Sequence, residues 1–124
     1  MSLCVAAGAL TTALLANSVT LSWTHSVEKT AWEEDWVLGP QGLELVEARV
    51  QGSGAGMEPP SEARFIDGWW RWRPVLPALP EVVLRRSGAT ADWRLCARGE
   101  CRPIGSYLPA GADPVILRPC SISP

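Results

Sequence analysis

The stretch SVTLSWTHSVEKTAWEEDWVL, residues 18–38, decides the fold because apolar and polar residues alternate along it twice. A period of two is typical of a β-strand, whose successive side chains point to opposite faces. The polar segment 26–30 separates the two alternating runs and has the composition of a turn. The stretch therefore predicts an antiparallel hairpin with one buried face. That face carries Val19, Leu21, Trp23 and His25 in the first strand and Trp32, Glu34, Trp36 and Leu38 in the second.

The next segment, LELVEARV at 43–50, predicts a third strand with the same period. Unbroken alternation divides its side chains into two faces. One face holds Leu43, Leu45, Glu47 and Arg49, and the other holds Glu44, Val46, Ala48 and Val50.

Further short strands are predicted on both sides. The Asp67-Gly68 pair is a strong two-residue turn signal, so 63–74 is predicted to form a hairpin. Segments 81–87, 92–97 and 115–120 have strand composition, and no segment shows the 3.6-residue period of an amphipathic helix. We predict an all-β protein: a single small antiparallel β-sandwich or flattened barrel of about nine short strands, with residues 1–124 as one domain.

The charge balance restricts the class of partner. Only 19% of the 124 residues are charged, and the formal net charge is −2. Nucleic acid binding relies on a basic surface, so we expect no nucleic acid partner.

The apolar segment LCVAAGALTTALLA, residues 3–16, has two interpretations. Its length suits the core of a signal peptide, but no Lys or Arg precedes it, and Leu14 would occupy a cleavage position that requires a small residue. Gly8 divides it into two β-compatible halves, which favours a hairpin. The segment is too short and interrupted to span a bilayer. Without a convincing export signal the expected location is cytoplasmic, with a periplasmic or membrane-associated location as the alternative.

The four cysteines permit two disulfides, and Cys96 and Cys101 lie closest in sequence. A two-residue turn at Arg98-Gly99 would place them opposite each other, close enough for a disulfide. A three-residue loop with a bulge at Gly99 would move them out of register, and two reduced buried thiols are a further alternative. No second Cys or His pair accompanies them, so no metal site or cofactor is predicted.

His25 is the single histidine of the chain and has acidic neighbours. Across the 26–30 turn, Glu28, Glu33 or Glu34 could hold its Nδ1 proton, as a ligand-binding or catalytic imidazole requires. Ser26 follows directly, so on a strand its side chain points to the opposite face and a Ser–His catalytic pair is disfavoured. The alternative is a histidine that braces its own hairpin.

The loop GSGAG, residues 52–56, has three glycines that alternate with small residues. Consecutive backbone N–H groups in such a loop can turn inward and bind an anion. The loop lacks the Lys and Ser/Thr of a phosphate-binding loop. The alternative is a tight connection in which the glycines supply positive φ.

The segment WWRWR, residues 69–73, places Trp70 and Trp72 on one strand face and Trp69, Arg71 and Arg73 on the other. The second face is a candidate surface for docking a partner. The alternative is a core face of tryptophans backed by a solvated surface.

Three segments carry a family resemblance: THSVEKTAWEEDW, LVEARVQGSGAGMEPP and DGWWRWRP. In this order they resemble an uncharacterised bacterial family, domain of unknown function 1850. The resemblance is most specific at His25, Ser26, Val27 and Glu28, at Glu33 or Glu34, and at Gly54, Ala55 and Gly56.

Members of that family are typically encoded beside the permease and binding protein of TRAP-type transporters of the TAXI class. The resemblance therefore implies a non-enzymatic accessory or ligand-sensing domain for carboxylate uptake. Its expected partners are the permease or the binding protein, and its expected ligand is a small carboxylate held by His25, Ser26 and residues 54–56. The alternative is a small hydrolase or lyase that uses His25 with a nearby Glu.

Overall fold

The computed structural model describes residues 1–24, 30–52, 59–86 and 91–120. Within these ranges the chain forms eleven strands and one short 3-10 helix at Ile104–Ser106. The strands are β1 (Ser2–Ala7), β2 (Leu10–Leu15), β3 (Ser18–Thr24), β4 (Ala31–Gly39), β5 (Gly42–Gln51), β6 (Arg64–Ile66), β7 (Trp69–Trp72), β8 (Val82–Leu84), β9 (Arg94–Ala97), β10 (Glu100–Pro103) and β11 (Val115–Cys120).

The strands form two antiparallel sheets that do not close into a barrel. The small sheet has the order β2-β1-β11-β8, and the large sheet has the order β10-β9-β3-β4-β5-β7-β6. The predicted all-β sandwich is confirmed, and the flattened barrel is not formed. The described ranges hold eleven strands, two more than the roughly nine predicted, and the short strands β6 and β8 lie within segments 63–74 and 81–87, which were predicted to form strands.

The apolar segment 3–16 is a hairpin of β1 and β2, in which Gly8 adopts a φ of 58° at the turn. β1 then lies inside the small sheet, between β2 and β11. Its side chains Leu3 and Val5 are fully buried against the large sheet. The N-terminal segment therefore supplies part of the core.

The core lies between the two sheets and follows the alternation of residues 18–38. The inward residues Val19, Leu21, Trp36 and Leu38 are all buried, whereas Val37 on the opposite face is exposed. The small sheet contributes apolar side chains from β1, β8 and β11. The buried cluster contains Leu3, Val5, Ala16, Val19, Leu21, Trp36, Leu38, Leu43, Leu45, Leu84, Leu95, Ile104, Leu108, Val115 and Leu117.

A β-bulge interrupts the pairing of β4 with β5. Trp36 lies opposite Leu45, whereas the preceding Asp35 lies opposite Glu47. Val46 is therefore an extra residue in β5, and it shifts the register by one position.

The bulge reverses the two faces of β5 beyond Val46. Leu43 and Ala48 are both buried, although they are an odd number of residues apart. Glu47 and Arg49 were predicted to share the face of Leu43, and this prediction was wrong. Because one extra residue changes the phase of alternation, both charged side chains lie on the outer face of the large sheet.

Candidate functional site

The described residues that flank the predicted carboxylate site lie at one end of the large sheet. His25, Ser26 and Glu28 lie outside the described residues, between Thr24 at the end of β3 and Thr30 before β4. Thr24 pairs with Ala31 in the ladder that joins these two strands. The His25 segment, residues 25–29, therefore connects the paired ends of β3 and β4.

The glycine-rich loop is attached at the same end. Gly54, Ala55 and Gly56 also lie outside the described residues, but Gly52 precedes them directly after β5. A Cβ placed on Gly52 would lie 3.5 Å from Thr30 Cγ2, and the Gly52 N–H donates to the Gly68 carbonyl oxygen at 3.1 Å. The His25 segment and the Gly54–Gly56 segment are thus attached to the neighbouring strands β4 and β5 at the same end of the large sheet.

Four tryptophans form a row across the inner face of the sheet at this end. The rings of Trp23 and Trp32 are stacked with centroids 5.8 Å apart and an interplanar angle of 12°. Trp93 lies 4.8 Å from Trp23, and Trp72 meets Trp32 edge to face at 6.1 Å. Offset and edge-to-face contacts of this kind stabilise aromatic clusters. The row is a rigid apolar surface beneath the ends of the strands.

Trp32 also has an unsatisfied polar group. Its Nε1 atom is buried and has no acceptor among the described residues, and the same holds for Trp70 Nε1. A buried indole N–H normally donates to a partner. This end of the sandwich therefore carries donors as well as apolar rings.

The two acidic residues predicted beside His25 do not lie together. Glu34 lies on the inner face of β4, where the indole N–H of Trp36 donates to its Oε1 at 3.2 Å. Burial raises the pKa of Glu34 above its ordinary value of 4.5, and the Trp36 hydrogen bond offsets this only in part. Glu33 is on the outer face, held by Arg49 at 2.7 Å. Only Glu34 therefore faces the side of the sheet that carries the tryptophan row.

The outer face holds an ion-pair network that the sequence pattern did not reveal. The guanidinium of Arg49 contacts Glu33 at 2.7 Å, Asp35 at 2.8 Å and Glu47 at 2.9 Å. Its side chain is only 13% exposed, whereas the three carboxylate side chains are 29–34% exposed, so the cation is shielded from water more than its partners are. Arg71 adds a second cation at 2.8 Å from Glu47.

The same network sets the ionisation of Asp35. Burial by itself would raise the pKa of Asp35. Hydrogen bonds from Arg49 and from the Thr20 hydroxyl, together with the positive charge of Arg49, outweigh that effect and lower the pKa below 3.8. The Arg49 side chain is buried too, but its three carboxylate partners raise its pKa and keep it charged.

The predicted docking residues also lie on the outer face, near the edge of the sheet. Arg71 pairs with Glu47, whereas Arg73 is exposed and Trp69 is half-buried. The network could not be found by alternation, because the β5 bulge places Glu47 and Arg49 on this face. The sequence does contain a signal of the bulge. The apolar residues Leu45 and Ala48 in β5 are an odd number of positions apart, so they can share the buried face only if an extra residue lies between them.

A cleft of about 590 Å³ runs along the outer face beside the network. Thr20, Asp35 and Arg49 line it on the sheet side, and the β9–β10 hairpin lines the other side. Cys96 and Cys101 lie in that hairpin, directly opposite each other, and are joined by a disulfide. A second disulfide joins Cys4 in β1 to Cys120 in β11.

The model of the family described as domain of unknown function, DUF1850, matches residues 19–104. The chain belongs to the DUF1850 family. The match covers every strand of the large sheet and β8 of the small sheet. It therefore includes both segments of the predicted carboxylate site, the Arg49 network and the Cys96–Cys101 hairpin.

No curated protein and no solved structure matches the chain. Within the described ranges, no group of three or more His, Cys, Asp or Glu side chains is arranged to hold a metal ion. The described part of the chain also contains no helix long and apolar enough to cross a membrane.

Proposed function

We propose that this DUF1850 domain is a non-enzymatic accessory or ligand-sensing domain of a TRAP-type (TAXI) carboxylate transporter. It binds a small carboxylate at the tryptophan-lined end of the sandwich and docks on the permease or its binding protein. The observation that carries the ligand proposal is the proximity of Gly52 to Thr30, whose Cγ2 would lie 3.5 Å from a Cβ placed on Gly52. It supports convergence of the His25 turn and the Gly54–Gly56 loop on one site.

The chemistry of the two segments suits a carboxylate. Inward-turned N–H groups of a glycine-rich loop bind anions, and an imidazole can donate a charge-assisted hydrogen bond. The row of Trp23, Trp32, Trp72 and Trp93 offers an apolar surface for the carbon skeleton of the ligand. The N–H of Trp32, which has no acceptor in the described part of the chain, is a further donor at this end.

The transporter assignment rests on the family resemblance, and one disulfide supports its location. Structural disulfides persist in oxidising compartments such as the bacterial periplasm. The Cys4–Cys120 disulfide between β1 and β11 therefore favours the periplasmic alternative, where a transporter's binding protein meets its substrate.

Titration calorimetry with a series of small mono- and dicarboxylic acids tests the ligand proposal. We expect His25→Ala to weaken binding about tenfold or more, the loss that corresponds to one charge-assisted hydrogen bond of roughly 1.4 kcal/mol. The matched control is Arg118→Ala, which removes an exposed charge from β11 in the other sheet and should leave binding unchanged. Absence of binding to the unmodified protein for every acid would remove the ligand proposal.

Affinity capture from the protein's own membranes tests the docking proposal separately. We expect the tagged domain to recover the permease or the binding protein. Because Trp69, Arg71 and Arg73 are the candidate docking residues, Arg73→Glu should reduce recovery, whereas Arg118→Glu should not. Recovery of neither transporter component at modest salt would contradict docking.

Glu34 favours one alternative function. A carboxyl group whose pKa is raised by burial is suited to general acid–base chemistry, and Glu34 faces the same side as the tryptophan row. A small hydrolase or lyase would use it with His25. Loss of turnover in His25→Asn with partner capture retained would favour the enzyme over the accessory domain.

A further inference from the structure

We propose that the Cys96–Cys101 disulfide is a site of reversible thiol–disulfide exchange with a dithiol protein, whereas the Cys4–Cys120 disulfide is structural. This inference is independent of the carboxylate site, which lies at the end of the sheet. It rests on exposure, chain separation and the charges around the two bonds.

The two disulfides differ first in access. Cys101 is exposed, Cys96 is half-buried, and both line the 590 Å³ cleft on the outer face. In the other disulfide Cys4 is only 8% exposed and Cys120 is half-buried, and the bond joins β1 to β11 inside the small sheet. An attacking thiolate must approach a disulfide sulfur directly, so the cleft disulfide, with its exposed Cys101, is the more accessible one.

They differ also in what each bond constrains. Cys96 and Cys101 are five residues apart, whereas Cys4 and Cys120 are separated by 116 residues. A disulfide that closes a longer loop restricts the unfolded chain more, so the Cys4–Cys120 bond contributes more to folding. Reduction of the Cys96–Cys101 bond therefore removes little of the constraint that stabilises the domain.

The reduced thiols of the cleft pair stay positioned to form the bond again. Cys96 and Cys101 face each other in the β9–β10 ladder, and the turn at Arg98-Gly99 closes that ladder. β9 also pairs with β3 inside the large sheet, opposite Cys96 at Thr20. Backbone hydrogen bonds hold the hairpin without help from the disulfide.

The hairpin that carries the pair has three arginines and one acidic residue, and the Asp35 carboxylate that also lines the cleft is paired with Arg49. Arg94 Nη2 donates to the carbonyl oxygen of Cys101 at 3.4 Å, and Arg98 lines the same cleft. Glu100, the acidic residue of the hairpin, is ion-paired with Arg102. Cationic neighbours favour a thiolate over a thiol, and the thiolate is the reactive form.

The exchange is a two-electron transfer from the dithiol to the domain. A thiolate of the dithiol attacks Cys101 Sγ, the Cys96–Cys101 bond breaks, and Cys96 leaves as a thiolate that takes up a proton. The second thiol of the partner then loses its proton and attacks the partner's other sulfur, the one bonded to Cys101 in the mixed disulfide. Cys101 leaves as a thiolate and takes up a proton. The domain ends with two thiols and the partner with one disulfide, and the reverse sequence reoxidises the domain.

Titration of the oxidised full chain with dithiothreitol, followed by alkylation and mass spectrometry, tests the proposal. We expect Cys96 and Cys101 to become alkylated at least about tenfold faster than Cys4 and Cys120, since exchange rates depend on access. Far-ultraviolet circular dichroism should stay unchanged at that stage, and glutathione disulfide should restore the bond in the folded protein. Simultaneous reduction of both disulfides, or no reduction before unfolding, would overturn the proposal.

Two single variants locate the attacked sulfur. Cys96→Ser leaves the exposed Cys101 thiol, which should attack glutathione disulfide, form a mixed disulfide and release one glutathione thiol. Cys101→Ser is the matched control, because it leaves only the half-buried Cys96 and should react several-fold more slowly. Equal rates for the two variants would contradict attack at Cys101.

Discussion

Glu34 and Asp35 are neighbours on β4, but they lie on opposite faces of the large sheet and their pKa values shift in opposite directions. On the inner face, Glu34 is half-buried and accepts one hydrogen bond from Trp36; burial outweighs that bond, so its pKa rises. On the outer face, Asp35 is bound by Arg49 and Thr20, so its pKa falls. Burial acts to raise the pKa of both carboxyl groups. The pKa of Asp35 nevertheless falls, because the Arg49 cation is bound to it.

The difference extends to how each face stabilises the protein. The inner face gains stability from apolar burial between two sheets, which is large and independent of pH. The outer face gains it from ion pairs around Arg49, whose carboxylate partners are each about one-third exposed and are therefore partly screened by solvent. Substitutions on the two faces therefore separate the contribution of apolar burial from that of the ion pairs.

The largest effect is expected from a cavity in the inner face. Leu95 in β9 is fully buried, so Leu95→Ala should lower the free energy of unfolding by about 2–5 kcal/mol through lost burial and an unfilled cavity. Val37→Ala is the matched control, since Val37 is 38% exposed on the outer face and should cost less than about 1 kcal/mol. Urea unfolding followed by tryptophan fluorescence measures both. Equal costs would show that the inner face is not the dominant core.

The second prediction concerns the centre of the outer network. Arg49→Met removes the cation that three carboxylates share and should destabilise the domain by about 1–3 kcal/mol, discounted for their partial exposure. Arg71→Met should cost less, because Glu47 keeps its contact with Arg49. The same unfolding measurement, repeated at high salt, should give a smaller Arg49 effect. A larger loss for Arg71→Met would place the centre of the network elsewhere.

The third prediction is the pH dependence of Asp35. Because its folded-state pKa lies below the ordinary value of 3.8, it stabilises the fold fully above that value. The contribution declines as the pH falls below 3.8 through the folded-state pKa. Asp35→Asn should therefore cost roughly 1 kcal/mol at neutral pH, with the difference from the unmodified protein narrowing in acid. A difference that stays constant from neutral to acid pH would contradict the ionic role.

The smallest effect has the opposite sign. Because the folded-state pKa of Glu34 is raised, its ionised form is disfavoured in the fold, and this cost appears as the pH rises above 4.5 through the folded-state pKa. Glu34→Gln keeps an acceptor for the Trp36 N–H and should slightly stabilise the domain at neutral pH. The gain should vanish well below pH 4.5. Thermal unfolding at the two pH values checks it, and destabilisation at neutral pH would indicate that Glu34 has a charged partner.

Much of the fold could be predicted from local pattern. The alternation of 18–38 identified the core face of β3 and β4, and the Gly8 break identified the hairpin of β1 and β2. The Asp67-Gly68 turn signal likewise identified the hairpin of β6 and β7. These features succeed because a period of two and a turn residue are properties of adjacent residues, which any strand displays whatever it pairs with.

Less of the candidate site could be predicted. Glu33 and Glu34 were considered as equivalent partners for His25, but they lie on opposite faces of the sheet. The proposed site around His25 and Gly54–Gly56 stays a prediction, supported by the adjacency of Thr30 and Gly52. The Arg49 network was missed because its members come from separate strands and depend on the bulge at Val46.

The sequence by itself determined the strand periodicity, the principal turns and the apolar residues of β3 and β4 that face inward, since these follow from local backbone geometry and hydrophobicity. Only the tertiary structure decided which charges meet across strands, which cysteines are joined and which are accessible, and which carboxyl group gains or loses its proton more easily. The physical reason is that these properties depend on register and burial. The extra residue Val46 in β5 changes the register and the burial of the residues that follow it, and the composition of the strand does not reveal this change.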